Sequence, residues 1–226
     1  METSLHRDLK TLYARGPAQF EVPLGGYRID VVDRDRLIEI QHGSLAAIRD
    51  KVRELLCDHR VLVVKPIVAG KLLVKRQSKG GAVASRRRSP LRGGFLDLFD
   101  ELVHFTRVFP HPRLTLDVVL VEVEEWRYPG HGRRRRWRPS DYEVEDQKLV
   151  TVRSTRRLRT AADLAELAAC PLPRRFHTGD LAESLQVRRL MAQRIAYCFR
   201  QMGTVRAVGK RGNALLYEFA EARKAG

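Results

Sequence analysis

Apolar and polar positions recur with two different periods along this chain, and the switches between them mark its elements. Over 2–13, Leu5, Leu9 and Leu12 recur at helical spacing, while Glu2, His6 and Lys10 form a second, polar stripe at intervals of four. Gly16-Pro17 breaks this predicted helix. A short extended piece, 20–24, carries Glu21, and Gly25-Gly26 turns the chain into 27–32, a β-branched run with one acid, Asp30. A charged turn leads to a second strand, 36–41. Side chains alternate across a strand, so Leu37, Glu39 and Gln41 share one face and Ile38 and Ile40 the other. Paired as a hairpin, the two strands bring Asp30 towards Glu39.

Ser44 is a suitable N-cap for a helix through 58. The nearly continuous apolar run 60–68 reads as a strand buried on both faces, with Lys65 as its one charge. Over 95–109 the stripe Phe95, Leu98, Phe99, Leu102, Val103 and Phe109 predicts a helix facing a core. The longest β-rich run is 114–128, and 142–152 can return antiparallel to it. From 160 onward the pattern is helical: 160–169, a helix opening at Thr178 as N-cap, and 188–202 closed by Gly203. Leu190, Ile195, Tyr197, Cys198 and Met202 are its expected core positions. Two β-like pieces follow, 204–208 and 214–219, around Gly209-Lys210-Arg211-Gly212.

Charge changes this picture. The chain has 226 residues, enough for one large domain or two small ones, with 43 Lys+Arg against 27 Asp+Glu and a formal charge of +16. That excess favours a polyanion, most simply nucleic acid. No apolar run approaches the roughly 20 residues that span a bilayer, and the sequence opens with no secretory leader, so no membrane partner is expected. Cys57, Cys170 and Cys198 are odd in number and far apart, which reads as reduced thiols in a cytoplasmic protein. The positive charge is clustered. Residues 71–93 hold eight Lys/Arg and no acid, Arg86, Arg87 and Arg88 among them. Such a stretch suits phosphate contact, against the plainer reading of a solvated loop. Arg133, Arg134, Arg135 and Arg136 form an unbroken block beside Trp137, which could stack on a base or pack a hairpin.

Candidate chemistry lies in the first hairpin. Asp30, Glu39 and Gln41 on one sheet face are costly to bury without a partner, and a hard cation would satisfy them. A solvated face with two acids would do so equally.

The order helix, three strands, helix, strand, with Asp30 followed by Glu39-x-Gln41, resembles the PD-(D/E)XK nuclease superfamily. Ser4-Leu5-His6…Lys10, Glu21, Arg28-Ile29-Asp30-Val31 and Ile38-Glu39-Ile40-Gln41 followed by a helix resemble the CoiA-like competence nucleases, over about the first 70 residues. The resemblance implies an α/β (α+β) restriction-endonuclease-like core with a mixed sheet. It implies Mg²⁺ or Mn²⁺ held by Asp30 and Glu39, with Glu2 or Glu21 assisting and His6 as a candidate base. Gln41 stands where a Lys is expected. Lys65 or Lys10 would then supply the cation, or the fold binds nucleic acid without cutting it.

The three helices and basic-tipped hairpin at the C-terminal end resemble a winged helix-turn-helix domain. That likeness places Arg188, Arg189, Gln193 and Arg194 towards DNA and Lys210 and Arg211 at the wing tip. The expected organisation is thus a nuclease-like domain over 1–155 with basic hairpin insertions and a winged helix over 160–222, an architecture similar to that of transposon-end endonucleases. The expected function is a metal-dependent nuclease acting on DNA. The alternatives are a non-catalytic nucleic-acid-binding protein on a degenerate nuclease fold, or an adaptor in a mobile-element or DNA-processing complex. DNA or RNA, a second copy of the chain and a partner protein are the expected partners.

Overall fold

A computed structural model describes residues 3–130 and 142–220. Glu2, the Arg133–Arg136 block and Trp137 lie outside the described residues. The chain is α+β, with a seven-stranded sheet and six α-helices among the described residues. In chain order the elements are α1 (Ser4–Tyr13), β1 (Gln19–Leu24), β2 (Tyr27–Asp33), β3 (Arg36–Ile40), α2 (Arg49–Leu55), β4 (Arg60–Arg76), β5 (Val83–Arg88), α3 (Leu98–Leu102), β6 (Leu114–Pro129), β7 (Tyr142–Leu158), α4 (Ala161–Leu167), α5 (Thr178–Ser184), α6 (Arg189–Gln201), β8 (Val205–Arg211) and β9 (Ala214–Phe219).

Contacts divide the chain into two compact units that no single cut along the sequence separates. The first draws on residues 1–42, 62–94 and 117–156, and the second on 43–61, 95–116 and 157–226.

The first unit holds α1 and most of the sheet, ordered β1-β2-β3-β4-β6-β7 with β5 paired to β4. The antiparallel β1–β2 and β2–β3 pairs follow from their turns. Gly25 and Gly26 both take positive φ between Leu24 and Tyr27, as the tight two-residue hairpin loop requires. The helix α1 starts where Thr3 accepts the His6 N–H. It lays Leu5 and Leu9 onto Val31, Ile38, Ile40, Leu62, Val64, Val119, Val121 and Val123, one contiguous core. The predicted alternation in β3 holds on this face. Full burial of each of these aliphatic side chains contributes about 1.5–3 kcal/mol, which is what fixes α1 on the sheet. The basic stretch after Lys71 is the antiparallel β4–β5 hairpin, with Leu73 opposite Arg87 and Lys75 opposite Ser85.

In the second unit the predicted helices are present but shorter. Ser44 does cap, accepting the Ala46 N–H, yet the first turn it opens is a 3₁₀ turn, Leu45–Ile48, before α2 begins. The run 95–109 is α-helical only at α3, after a 3₁₀ turn at Phe95–Asp97. Beyond it, His104, Phe105 and Val108 bond three residues back, and a cis Phe109-Pro110 bond follows. The stripe still forms core, because Leu98, Phe99, Leu102 and Phe109 are fully buried and Phe105 joins them. Phe99 meets Phe199 of α6 edge-on, ring centres 5.8 Å apart.

Helix α6 buries Met191, Ala192, Ile195, Ala196, Cys198 and Phe199. Ile195 and Cys198 are buried as expected, whereas Leu190 and Tyr197, also expected in the core, are exposed. The N-cap of α5 is His177, not Thr178. Its Nδ1 accepts the Asp180 N–H at 3.0 Å, and Asp180 Oδ2 accepts the His177 N–H at 2.8 Å. This is the reciprocal pattern of a capping box with imidazole in the hydroxyl's place. Strands β8 and β9 pair antiparallel, and Gly212 takes positive φ at their turn.

Candidate functional site

In the first unit, three acidic positions fall at one level across three adjacent strands. Phe20 pairs with Val31 and Val22 with Ile29, so Glu21 of β1 sits opposite Asp30 of β2. On the other side Val31 pairs with Ile38, so the next position along brings Asp30 level with Glu39 of β3. Regular pairing gives way at this level. Glu21 takes a φ of 56°, a left-handed conformation that costs a non-glycine residue about 1 kcal/mol or more. The Asp30 carboxylate accepts the Ile40 N–H through Oδ2 at 2.8 Å.

The polar stripe of α1 closes over this row. His6 Nε2 lies 3.1 Å from Asp30 Oδ1, and Lys10 Nζ lies 3.2 Å from the same oxygen. Lys10, only 5% exposed, also bonds Glu21, which Arg28 approaches at 3.5 Å. Burial would raise the Asp30 pKa. The His6 hydrogen bond, the Ile40 N–H and the His6 and Lys10 charges outweigh it and hold this carboxyl below the ordinary value of 3.8. The structure thus brings His6, Lys10, Glu21 and Asp30 together. Glu39 is buried in β3. Lys65 is buried too, and its ammonium donates to the His42 carbonyl at 3.1 Å. Gln41 joins β3 to β4 through its backbone, donating to Val64 O at 2.9 Å.

A second cluster in this unit was not legible in the sequence. Glu125, buried at the end of the Val119-Val121-Val123 face, is bonded by Lys71, Arg127 and Gln147. Burial acts to raise its pKa, and these partners overcome it. His42 lies within the field of Lys65 and Lys71, and burial together with those charges lowers its pKa. The available signal was the Glu124-Glu125 pair, whose second member breaks the acid-out alternation of β6. Nearby, Ser4 ties α1 to β7, donating from N and Oγ to Asp146 at 2.8 and 2.6 Å.

Asp30 could hold the expected Mg²⁺ or Mn²⁺ only if the Lys10 ammonium, 3.2 Å from Oδ1, moved away. Among the described residues, no group of three or more His, Cys, Asp or Glu is placed to hold a metal ion.

The basic residues form separate exposed surfaces. Arg86, Arg87 and Arg88 are all exposed on β5. In the second unit, Arg188 caps α6, and Arg189, Gln193, Tyr197 and Arg200 make an exposed stripe along it. Arg200 belongs to that stripe although the sequence reading passed over it. Arg194 is turned to an ion pair with Asp100. Lys210 and Arg211 are exposed at the β8–β9 turn.

Residues 3–159 match the protein family described as Domain of unknown function (DUF8091). The chain belongs to that family. The DUF8091 match covers the His6-Lys10-Asp30 cluster, the basic β4–β5 hairpin and the Glu125 cluster, and ends before α4. An "Uncharacterized protein" of Treponema pallidum (strain Nichols) is 30% identical over 218 residues, spanning 96% of this chain and 84% of that protein, so that similarity continues through the C-terminal helices. No solved structure matches the chain significantly. No helix among the described residues is long and apolar enough to cross a membrane.

Proposed function

We propose that this protein binds nucleic acid, and that α4–α6 with the β8–β9 hairpin act as a winged helix on duplex DNA. The observation that carries the reading is the division of labour along α6. One face builds core, while Arg189, Gln193, Tyr197 and Arg200 stand exposed on the other. The Lys210-Arg211 turn supplies the wing. Between them lies a shallow groove of about 290 Å³ lined by Arg189, Gln193, Asn213 and Tyr217. A helix N-terminus carrying Arg and Gln suits base edges, and a basic hairpin suits the phosphate backbone. The net charge of +16 supports the same partner. The test is a labelled duplex titrated with the protein and with Arg189→Ala/Lys210→Ala/Arg211→Ala. The triple variant should bind at least tenfold more weakly. Unchanged affinity would refute the assignment of this surface.

A second reading, phosphodiester cleavage on a nuclease-like scaffold, is favoured by the level row Glu21-Asp30-Glu39 beneath His6 and Lys10. It requires Lys10 to leave Asp30 when a divalent ion arrives. Incubation of plasmid and linear DNA with Mg²⁺ or Mn²⁺ tests it: cleavage lost in both Asp30→Asn and Glu39→Gln supports it, and no cleavage by the native chain leaves the binding reading alone.

A further inference from the structure

The first unit carries a second groove whose chemistry differs from that of the winged-helix surface. It is about 340 Å³, within the range of small-ligand sites, and lies against β4, β5, β6 and β7. Its cations are Lys75, Arg87 and Arg127, its aromatics are Tyr128 and Tyr142, and none of the described residues lining it is acidic. The register explains the grouping. Leu73 opposes Arg87 and Lys75 opposes Ser85, so these four side chains share one face of the β4–β5 hairpin. Arg86 and Arg88 fall on the opposite face. There a neighbouring groove includes Arg88, Arg92 and Arg153, but also Glu122 and Glu124, which offset its charge.

The two tyrosines are held from behind. The Tyr128 hydroxyl donates to Glu143 Oε2 at 2.6 Å. The Arg127 guanidinium lies 4.0 Å from the Tyr142 ring centre and is itself bonded to buried Glu125. Arg127 is thus committed to positioning, whereas Lys75 and Arg87 have no ion-pair partner among the described residues. Fixed aromatic rings beside cations that have no ion-pair partner among the described residues form the combination that stacks an unpaired base and neutralises its phosphate. A duplex hides its base faces.

We infer that this groove binds an unpaired nucleotide segment of a nucleic acid, with a base stacked on Tyr128 or Tyr142 and the adjoining phosphates on Lys75 and Arg87. The inference rests on the nucleic-acid reading above and adds single-strand recognition by the DUF8091 unit. It implies a protein that grips duplex with one unit and unpaired strand with the other.

The test uses the full chain, a labelled 15-nucleotide oligo-dT and a labelled duplex, each titrated at low salt. Tyr128→Ala/Tyr142→Ala should weaken oligo-dT binding about tenfold or more, the scale of losing one stacked base, and leave duplex binding within twofold. Tyr128→Phe/Tyr142→Phe should restore most of the oligo-dT affinity, which separates stacking from damage to the fold. Arg87→Glu, at an exposed strand position, should weaken oligo-dT more than duplex. The groove assignment is overturned if the alanine pair binds oligo-dT normally, if only Arg87→Glu has an effect, or if duplex and oligo-dT are lost together. Failure of the native chain to bind either probe would overturn the nucleic-acid reading itself, a result distinct from duplex binding that persists without oligo-dT binding.

Discussion

Lys10 Nζ lies 3.2 Å from Asp30 Oδ1, and the same buried ammonium bonds Glu21. One cation from α1 therefore neutralises two carboxylates on two strands, at the level where regular pairing breaks. Removing it should leave Glu21 to Arg28 and Asp30 to His6 and the Ile40 N–H. Lys10→Met is expected to cost about 2–3 kcal/mol, below the fully buried range because Glu21 is 40% exposed. Adding Asp30→Asn to Lys10→Met should recover part of the loss. Urea midpoints of the four proteins check this, and additive effects of the two substitutions would show that the pair is not coupled.

Stability should fall as pH drops below neutrality, through His42. Its folded-state pKa lies below 6.5, first because of burial and then because of Lys65, Lys71 and His6, with Glu125 acting the other way. The unfolded chain therefore binds a proton near pH 6.5 that the folded chain resists, so stability rises with pH up to about 6.5 and levels off above it. Urea midpoints from pH 5.0 to 7.5 should show this slope, and His42→Gln should reduce it. Identical slopes would remove His42 from the account. Asp30 and Glu125 act in a more acidic window. Their folded pKa values are lowered, so their stabilisation is complete above the ordinary carboxylate range and is lost as pH falls through the folded values.

Two arginines on α6, five residues apart, should behave oppositely. Arg189 is exposed at the start of the helix, whereas Arg194 is paired with Asp100 of α3. Arg189→Ala should weaken duplex binding and relax its sequence preference, the signature of a lost base contact. Arg194→Ala should leave duplex affinity within twofold and cause a small loss of stability, since that pair is more than a third exposed. A larger binding defect in Arg194→Ala would mean that the helix presents a different face.

The thiols should separate by accessibility. Burial pushes the Cys198 thiol up to about 12, so it is not a nucleophile at neutral pH, whereas Cys57 is exposed. A thiol reagent at pH 8 should modify Cys57 in the native protein and reach Cys198 only after unfolding. Native-state modification of Cys198 would mean that the α6 core opens.

Much of the local structure could be read from the residues, because period and turn chemistry act locally. The two-residue Gly25-Gly26 turn, the Ile38/Ile40 face of β3 and the His6-Lys10 part of the polar stripe all formed as the spacing predicts, with Glu2 outside the described residues. The stripe's purpose became visible only when α1 lay across β1 and β2 and Lys10 reached Glu21 as well as Asp30. The shortened α3 has a physical cause outside propensity. Phe105 and Phe109 reach the core through tight turns rather than through a continuing helix. The exposure of Leu190 and Tyr197 depends on which face of α6 meets Phe99, a contact 100 residues distant. The interleaving of two units along the chain depends entirely on such contacts. Glu125 gave one hint, a second acid on the valine face of β6, but its three partners come from β4, β6 and β7.

The central claim is that this chain binds nucleic acid through exposed basic surfaces. Its most direct test is fluorescence anisotropy of a labelled 30-base-pair duplex titrated with the full chain across 50–300 mM salt, where neutralising about three to five phosphates gives a log–log slope of about −3 to −5. The account predicts tight binding at the lowest salt and a slope in that range. Absence of binding at 50 mM salt, or an affinity that does not respond to salt, would contradict it.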